Sequence, residues 1–292
     1  MGVRILIDKV YYVRENGVFE EGFVYIDENT IGDLGREPPV EYSLSELHYT
    51  FDKKAIVIHG YSVALTPSLY PFRGITDKYD LSVFSKEEIK GFIKAAFYEL
   101  LANGITLPVI YNENMEYIQL AIDVAKTLSI PIAIMGDENL FNSYGNIINN
   151  KSIYGIKVDS DLPRERICYD EISPHCSIVY LKNTVNVNAL LSHALRKYGF
   201  VDIIKVLTSP YRILGLDNGF IEKNARAHIT IYDARKPLKA PLLKHAPQTI
   251  LARGYLPDVV IVDGDIVVEQ GLVYVVNEVE VARALDVVYN KW

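Results

Sequence analysis

The middle of the chain alternates segments of strand character with segments of helix character. Three segments are rich in β-branched and apolar residues, namely 55–65, 105–112 and 130–136. Two segments between them carry apolar residues at helical spacing, namely 85–104 and 113–129. The first helical segment is clearly bounded, because Ser85 and Glu88 form a capping-box pattern and Gly104 follows the last turn. This order of strands and helices predicts a parallel sheet covered by crossover helices.

Strand patterns dominate both ends of the chain. Residues 1–35 predict short strands joined by turns, and strand patterns return after Gly219. We therefore expect both ends to build one small β-sandwich domain, into which the βα segment is inserted. The expected domains are a composite β domain of residues 1–54 and 217–292 and a barrel-like domain of residues 55–216.

The composite domain should end in an amphipathic helix. Its apolar residues recur at helical spacing: Val281, Leu285, Val288 and Trp292. Such a helix could cover its own barrel or dock on a neighbouring chain, and the sequence leaves both alternatives open.

The overall charge and the hydropathy pattern exclude several classes of partner. The 292 residues carry a formal net charge of −7, so we expect no nucleic-acid partner. No uncharged apolar run approaches the length of a membrane span, and we expect no membrane contact. Two cysteines, Cys168 and Cys176, are too few for a disulfide framework and fit a reducing compartment. These observations predict a cytoplasmic protein.

Five short motifs lie in and directly after the predicted barrel strands and the C-terminal strands. They are GYSVALTPSLYPFRG (60–74), ELLANGITLPVIYN (99–112), SPYRILGL (209–216), AHITIYD (227–233) and VDGDIVVEQG (262–271). In their order and spacing they resemble the amidohydrolase superfamily, and within it the chlorohydrolase and nucleobase-deaminase branch. The resemblance implies a TIM-like barrel with a β-sandwich built from both chain ends. It also implies an ancestral metal-assisted hydrolysis of a C–N or related bond.

The same resemblance indicates where the family's metal ligands would stand in this sequence. The two histidine positions after the first barrel strand hold Leu65 and Pro67, neither of which has a side-chain donor atom. The aspartate position after the last strand corresponds to Lys182 and Asn183, and a lysine there opposes a divalent cation. The histidines of the fifth and sixth strands have no counterpart in the short middle section. We therefore expect no metal and no cofactor.

The barrel segment is short for its fold. Residues 55–216 contain about six strand patterns, whereas a complete eightfold barrel takes roughly 250 residues. We therefore expect a reduced or incomplete TIM-like (β/α) barrel with open strand edges. Because open edges and uncovered apolar surface favour pairing with another chain, we expect a homo-oligomer, in the simplest case a dimer with isologous contacts.

Three further residues are candidates for ligand contact: Arg73, His175 and Cys176. Arg73 could bind an anionic ligand or brace a loop through its planar guanidinium group. His175 and Cys176, with Cys168 nearby, could form a replacement metal site or a reactive thiol. Since neighbouring residues of a strand face opposite sides, however, His175 and Cys176 should not share one ion. A loop histidine beside a buried thiol is the simpler interpretation.

Two other histidines and one basic stretch depart from the family pattern. His59 replaces a proline, and we expect it to lie at a strand end without a catalytic role. His228 replaces an aspartate, and we expect it at the surface or at a sheet edge. Residues 235–253 carry five basic residues and no acidic ones, and we expect an extended, solvated connection rather than a phosphate site.

The sequence therefore supports two hypotheses about function. The first is an amidohydrolase-like protein without a metal centre or hydrolase activity, which binds a small molecule or assembles with other chains. The second is an active hydrolase or deaminase that cleaves C–N bonds, other than peptide bonds, of a cyclic small molecule through an unusual site. The missing ligands favour the first hypothesis, and the family resemblance favours the second.

Overall fold

The first strands of the chain are arranged around one long strand. The computed structural model describes residues 3–75, 80–111, 113–144, 148, 152–183, 186–236, 239, 242–243 and 246–291. The first five strands are β1 (Arg4–Val13), β2 (Phe19–Asp27), β3 (Thr30–Gly35), β4 (Leu47–Thr50) and β5 (Ala55–His59). Strand β1 pairs antiparallel with β2, and its first and second halves pair parallel with β4 and β5 respectively. Lys9, with a φ of 55°, lies where the register between β1 and β2 shifts, so the strand has two halves.

A second set of strands forms the parallel sheet that the sequence predicts. They are β6 (Tyr61–Leu65), β7 (Ile105–Ile110), β8 (Ile132–Gly136), β9 (Ile153–Lys157), β10 (Ile167–Tyr169) and β11 (Ile178–Tyr180). Their order is β10-β11-β6-β7-β8-β9, and every neighbouring pair is parallel. Strands β9 and β10 are the outer strands of this curled half-barrel, so the expectation of an incomplete TIM-like barrel is confirmed.

Helices pack on the half-barrel sheet. They are α1 (Lys86–Ala102), α2 (Met115–Leu128), α3 (Glu138–Tyr144), α4 (Val187–Lys197), α5 (Phe200–Leu207) and α6 (Ser209–Ile213). The capping box predicted for α1 is present, since Ser85 accepts from the Glu88 N–H and Glu88 accepts from the Ser85 N–H. Asn114 caps α2 in a similar way by accepting from the Tyr117 N–H.

The alternation of side chains along the barrel strands creates two apolar clusters. The inner cluster fills the concave side and includes Ala64, Val109 and Ala133. The outer cluster lies beneath the helices and includes Leu65 together with Phe92 of α1. The two faces of β6 therefore belong to different cores.

The C-terminal part of the chain returns to the strands of the N-terminus. Its elements are β12 (Ile229–Asp233), α7 (Thr249–Ala252), β13 (Val259–Val262), β14 (Asp265–Glu269), β15 (Leu272–Val273) and α8 (Glu278–Lys291). They extend the terminal sheet to nine strands in the order β15-β14-β13-β12-β5-β1-β2-β3, with β4 beside β1. One apolar cluster joins Val24 and Ile31 with Ile229 and Ile261. The two ends thus share one continuous sheet, and the expected sandwich of two separate sheets is not confirmed.

The segment 55–65, expected to be a single barrel strand, divides between the two sheets. Strand β5 pairs with β1 and β12, whereas β6 begins the barrel, and Gly60 lies between them. A Cβ atom on Gly60 would lie 2.1 Å from Thr106 Oγ1, so the two sheets meet where only glycine fits. The expected domain boundary at residue 55 therefore falls before β5, one strand earlier than the boundary between the sheets.

The last helix, α8, packs on α1 of its own chain. Gly91 permits this approach, because a Cβ atom there would lie 2.5 Å from Ala284 Cβ. The pair Lys94–Glu280 spans the interface at 2.9 Å. In the predicted apolar stripe, Val281 and Val288 pack against the outer cluster, while Trp292 lies outside the described residues. Within the described ranges, none of the helices combines the length and the apolar character that crossing a membrane requires.

The basic stretch 235–253 is less extended than expected, although Arg235, Lys236 and Arg253 are exposed. It contains the short helix α7. Lys236 and Lys239 lie 2.5 Å and 2.6 Å from the Asp258 carboxylate, and Arg235 pairs with Asp233. Lys244, another of the five basic residues in this stretch, lies outside the described residues. The described basic side chains of residues 235–239 are thus engaged within the chain itself.

Candidate functional site at the carboxyl ends of the barrel strands

The carboxyl ends of the barrel strands lie along one edge of the half-barrel, where active sites of such folds are built. Thr66, directly after β6, is 4% exposed. Its hydroxyl group donates to the Tyr111 carbonyl at 2.8 Å and lies 2.7 Å from the Tyr180 hydroxyl. The Tyr180 ring also meets the rings of Tyr111 and Tyr169 edge to face, at 5.3 Å and 5.5 Å. Thr66 and Tyr180 are therefore buried at this end of the half-barrel, and the rings of Tyr111 and Tyr169 pack against Tyr180.

Glu113 follows β7 and is held by the turn after β6. Its carboxylate accepts from the Ser68 N–H at 3.2 Å and from the Ser68 hydroxyl at 2.9 Å. Burial raises the pKa of Glu113 to about 7, although the bonds from Ser68 act in the opposite direction. Near neutral pH the carboxyl group therefore exists in both protonation states, which suits an acid–base group or a proton-sensitive ligand contact.

A cavity of about 240 Å³ lies beside Glu113. Its lining comes from the ends of three neighbouring strands, from α3 and from the turn before β10, and comprises Tyr111, Glu113, Met135, Gly136, Asp137, Leu140, Val158 and Arg164. An aromatic ring, apolar side chains and groups of both charges thus surround a space that suits a small organic molecule. A larger cleft of about 950 Å³ lies on the terminal sheet, but its walls carry mostly surface charges and it is remote from the strand ends.

The residues expected at the metal positions do not converge on one point. Leu65 is buried in the outer cluster, so it faces the helices and not the barrel interior. Pro67 begins the short 3-10 helix Pro67–Phe72. Lys182 and Asn183 are exposed after β11, and their N–H groups donate to the Asp170 carboxylate. At this strand end, Thr66 rather than Leu65 is the side chain that faces inward.

Among the described residues at these strand ends, no three His, Cys, Asp or Glu donor atoms lie close enough together to share one divalent metal ion. The Thr66 hydroxyl is engaged by two tyrosines, and Asp159 pairs with Arg164 at 2.8 Å. The carboxylate of Asp170 accepts backbone N–H groups. Catalytic zinc sites use three imidazole or carboxylate ligands around one open position. Within the described residues, one group of three candidate ligands has its donor atoms within 4.8 Å, and it lies elsewhere: Cys168, His175 and Cys176.

Arg73, the first candidate ligand contact, points into the protein. Its Nη2 donates to the Leu181 carbonyl at 2.9 Å. Burial lowers the pKa of the Arg73 guanidinium, while the nearby Glu99 carboxylate acts against this shift. Burial also disfavours the charged form of the Glu99 carboxyl group, and it therefore raises the pKa of Glu99. Of the two roles considered for Arg73, these contacts support the loop brace.

The region of His175 and Cys176 differs from the expectation in two respects. Cys168 and Cys176 form a disulfide, with their Cα atoms 5.7 Å apart, so Cys176 is not a buried thiol. The two cysteines therefore no longer support a reducing compartment. Pro174 and His175 form a turn rather than a strand. His175 therefore comes close to both sulfurs, and its Nε2 lies 3.4 Å from Cys168 Sγ. The expectation that His175 and Cys176 diverge was wrong because it assumed a strand.

His59 and His228 meet at the opposite end of the barrel strands. His228 is fully buried, which corrects the expectation of a surface or edge position. The two rings lie 6.1 Å apart and both contact the Tyr211 ring, and His59 Nε2 lies 3.1 Å from Asp217. Burial alone would raise the pKa of Asp217, but His59 holds it below its usual value. This cluster lies where the terminal sheet meets the barrel, because His59 is the last residue of β5. Residues at the amino-terminal end of a barrel are associated with stability.

Comparison with known proteins supports the fold and leaves the chemistry open. No family model matches this chain, and no curated protein matches its sequence. Atrazine chlorohydrolase from Arthrobacter aurescens, complexed with zinc, superposes with a TM-score of 0.74 at 11% identity, covering 97% of this chain and 99% of that chain. An adenosine deaminase from Xanthomonas campestris with bound zinc gives 0.75 at 12% identity, covering 98% of each chain. An amidohydrolase from a Sargasso Sea sample gives 0.67 at 11% identity, also covering 98% of each. The chain therefore has the fold of the amidohydrolases.

The residues that line the cavity were not among the candidates predicted from the sequence. Those candidates were degenerate metal positions and three possible ligand contacts, and neither set contains Glu113 or Tyr111. Their location directly after the second predicted barrel strand was an available signal, because residues that follow barrel strands converge on one edge. Tyr180 gave no such signal, since its contact with Thr66 depends on the tertiary fold.

Proposed function

We propose that this chain is an amidohydrolase-fold protein without metal-dependent hydrolase activity, which binds a small molecule beside Glu113. The observation that carries the proposal is the set of groups at the strand ends. Hydrogen-bonded hydroxyl groups and tyrosine rings occupy the place where a metal would need three converging ligands. The inner cluster behind them consists of apolar side chains such as Ala64, Val109 and Ala133.

The cavity limits the kind of ligand. Its volume of about 240 Å³ is below the usual range for drug-sized ligands, so the ligand should be small. Tyr111 lines the cavity with an aromatic side chain, and Glu113 can accept or donate one hydrogen bond near neutral pH. A small planar molecule with a hydrogen-bonding edge fits this arrangement.

Turnover measurements test the absence of hydrolase activity. Triazines, nucleobases and nucleosides should be incubated with the protein in the presence and absence of Zn²⁺, Mn²⁺, Fe²⁺ and Ni²⁺. We expect no metal-dependent product, because the strand ends lack a ligand set. Product formation that a chelator abolishes would overturn the proposal.

Ligand binding is tested separately with a library of small planar heterocycles, by thermal shift. We expect compounds that stabilise the wild type and the Glu116→Gln variant but not the Glu113→Gln variant. Glu116 is a matched control because it is exposed in the first turn of α2. Equal shifts in all three proteins, or no stabilising compound, would contradict a site at Glu113.

The alternative function, a hydrolase with an unusual site, rests on the raised pKa of Glu113. A metal-free hydrolase would use this carboxyl group as its acid–base group. The adjacent Ser68 is fully buried, so it cannot reach a substrate as a nucleophile. Metal-independent turnover that is lost in Glu113→Gln and kept in Glu116→Gln would favour this alternative.

We also propose that the protein forms a homodimer. Strands β9 and β10 are the outer strands of an open sheet, and Tyr169 on β10 is 56% exposed. Light scattering across a dilution series should give twice the chain mass of 33.0 kDa. A mass that stays at the value of one chain at high concentration would refute the dimer.

A further inference from the structure

Three side chains with metal-binding donor atoms meet on the outer side of the half-barrel. The disulfide between Cys168 and Cys176 joins β10 to the turn before β11. His175 in that turn is exposed, and its Nε2 lies 3.4 Å from Cys168 Sγ. All three donor atoms lie within 4.8 Å of one another. The function proposed for the Glu113 cavity uses none of these groups.

The turn that carries these residues has supports other than the disulfide. The Ser177 N–H donates to the Arg166 carbonyl at 2.8 Å, and the Cys176 N–H donates to the Ser173 carbonyl at 3.0 Å. Ile172 is buried in the outer cluster. Strands β10 and β11 pair on both sides of the turn. The three side chains should therefore remain close together after the disulfide is reduced.

His175 is oriented as a metal-binding histidine would be. Its Nδ1 lies 2.6 Å from Ser173 Oγ, and Ser173 is 1% exposed. When the Nδ1–H donates to this hydroxyl group, Nε2 carries the lone pair and faces Cys168 Sγ. A hydrogen bond to the second ring nitrogen is the usual support of a metal-bound histidine.

We propose that Cys168, His175 and Cys176 form a redox-gated zinc site, which is closed in the disulfide form and open in the dithiol form. A dithiol reductant gives two electrons and two protons to the disulfide, producing two thiols and the oxidised reductant. Zn²⁺ then displaces both thiol protons and is bound by two thiolates and the His175 imidazole. Solvent water completes the four ligands, because His175 is exposed.

The distance between Cys168 and Cys176 is compatible with zinc binding after the disulfide is reduced. Zinc–sulfur bonds of about 2.3 Å place two sulfurs roughly 3.7 Å apart in a tetrahedral site. The Cα atoms of Cys168 and Cys176 are 5.7 Å apart, so side-chain rotation can provide this separation once the S–S bond is broken.

Cobalt binding to the full chain tests the proposal. The protein is reduced with dithiothreitol, freed of reductant under anaerobic conditions and titrated with Co²⁺. We expect a thiolate-to-cobalt charge-transfer band that saturates at one equivalent and disappears when Zn²⁺ is added. The oxidised protein should give no such band. Absence of the band in the reduced wild type would overturn the proposal.

Variants separate a built site from two thiols that merely bind a metal. His175→Ala keeps both cysteines and should weaken Co²⁺ binding at least about tenfold. His193→Ala is a matched control, because His193 is an exposed histidine on α4, and it should bind like the wild type. Equal affinity of the His175→Ala and wild-type proteins would contradict the site. Cys168→Ser should remove the charge-transfer complex, and circular dichroism must show that this variant is folded.

Discussion

At the scale of single residues, Glu113 couples the candidate site to pH. Burial raises its pKa from the ordinary 4.5 to about 7. The folded state therefore holds this proton more tightly than the unfolded state. The resulting stabilisation is complete below pH 4.5 and is lost as the pH rises through about 7.

Replacing Glu113 by glutamine should remove this pH dependence. We expect the free energy of unfolding of Glu113→Gln, relative to wild type, to rise by on the order of 2 kcal/mol between about pH 4.5 and pH 7.5. Urea unfolding of both proteins across this range measures the difference. The comparison with wild type removes the contributions that other titratable groups make to the pH dependence of stability. One of these groups is His228, whose pKa is lowered by burial, so its contribution to stability changes with pH in the opposite direction.

Glu116→Gln should follow the wild type in the same urea series, because Glu116 is exposed. If the Glu113→Gln and wild-type curves stay parallel, the carboxyl group of Glu113 does not have a raised pKa.

The orientation of single residues was the least predictable feature. The sequence has Thr66 and Pro67 directly after the first barrel strand. It did not reveal that Leu65 faces the helices, because the strand begins after Gly60 and its register with β7 shifts between Tyr61 and Ser62. A shift of one residue exchanges the two faces of a strand, and no alternation pattern of a fully buried strand reports it.

At the scale of elements, the contact between α1 and α8 depends on Gly91. A leucine at this position would collide with Ala284, because a Cβ atom on residue 91 would lie 2.5 Å from the Ala284 Cβ. We expect Gly91→Leu to lower stability by roughly 1–3 kcal/mol and to displace α8. Trypsin should then cleave after Arg283 faster than in the wild type.

Lys94→Ala is the matched control for this interface. It removes only the surface pair with Glu280, so it should change stability by less than about 0.5 kcal/mol and leave the cleavage rate unaltered. Resistance of Gly91→Leu to trypsin at the wild-type level would show that α8 does not depend on this close approach.

Elements with strong local signals were predictable, and those defined by distant contacts were not. Helix α1 has its capping box in the sequence, and β7 and β8 have apolar runs bounded by helices. Strand β4 was missed, because Leu47–Thr50 is short and gains its partner from the first half of β1. The division of β5 from β6 was missed because both halves are apolar and continuous in sequence.

At the scale of the whole molecule, the joining of both chain ends was visible in their shared strand patterns. The half-barrel was visible in the small number of strand patterns between them. The disulfide was not predictable, because two cysteines eight residues apart give no information about the turn that brings them together. The cavity beside Glu113 is likewise a product of three strands whose ends meet only in the folded chain.

The central claim is that the strand ends of this amidohydrolase fold do not hold a metal ion. The most direct test is the metal content of the wild-type protein, purified without chelator and kept oxidised so that the Cys168–Cys176 disulfide stays closed. Elemental analysis after gel filtration should find zinc, iron, manganese and nickel well below one equivalent per chain. One tightly held equivalent in the oxidised protein would contradict the claim and favour a metal-dependent hydrolase.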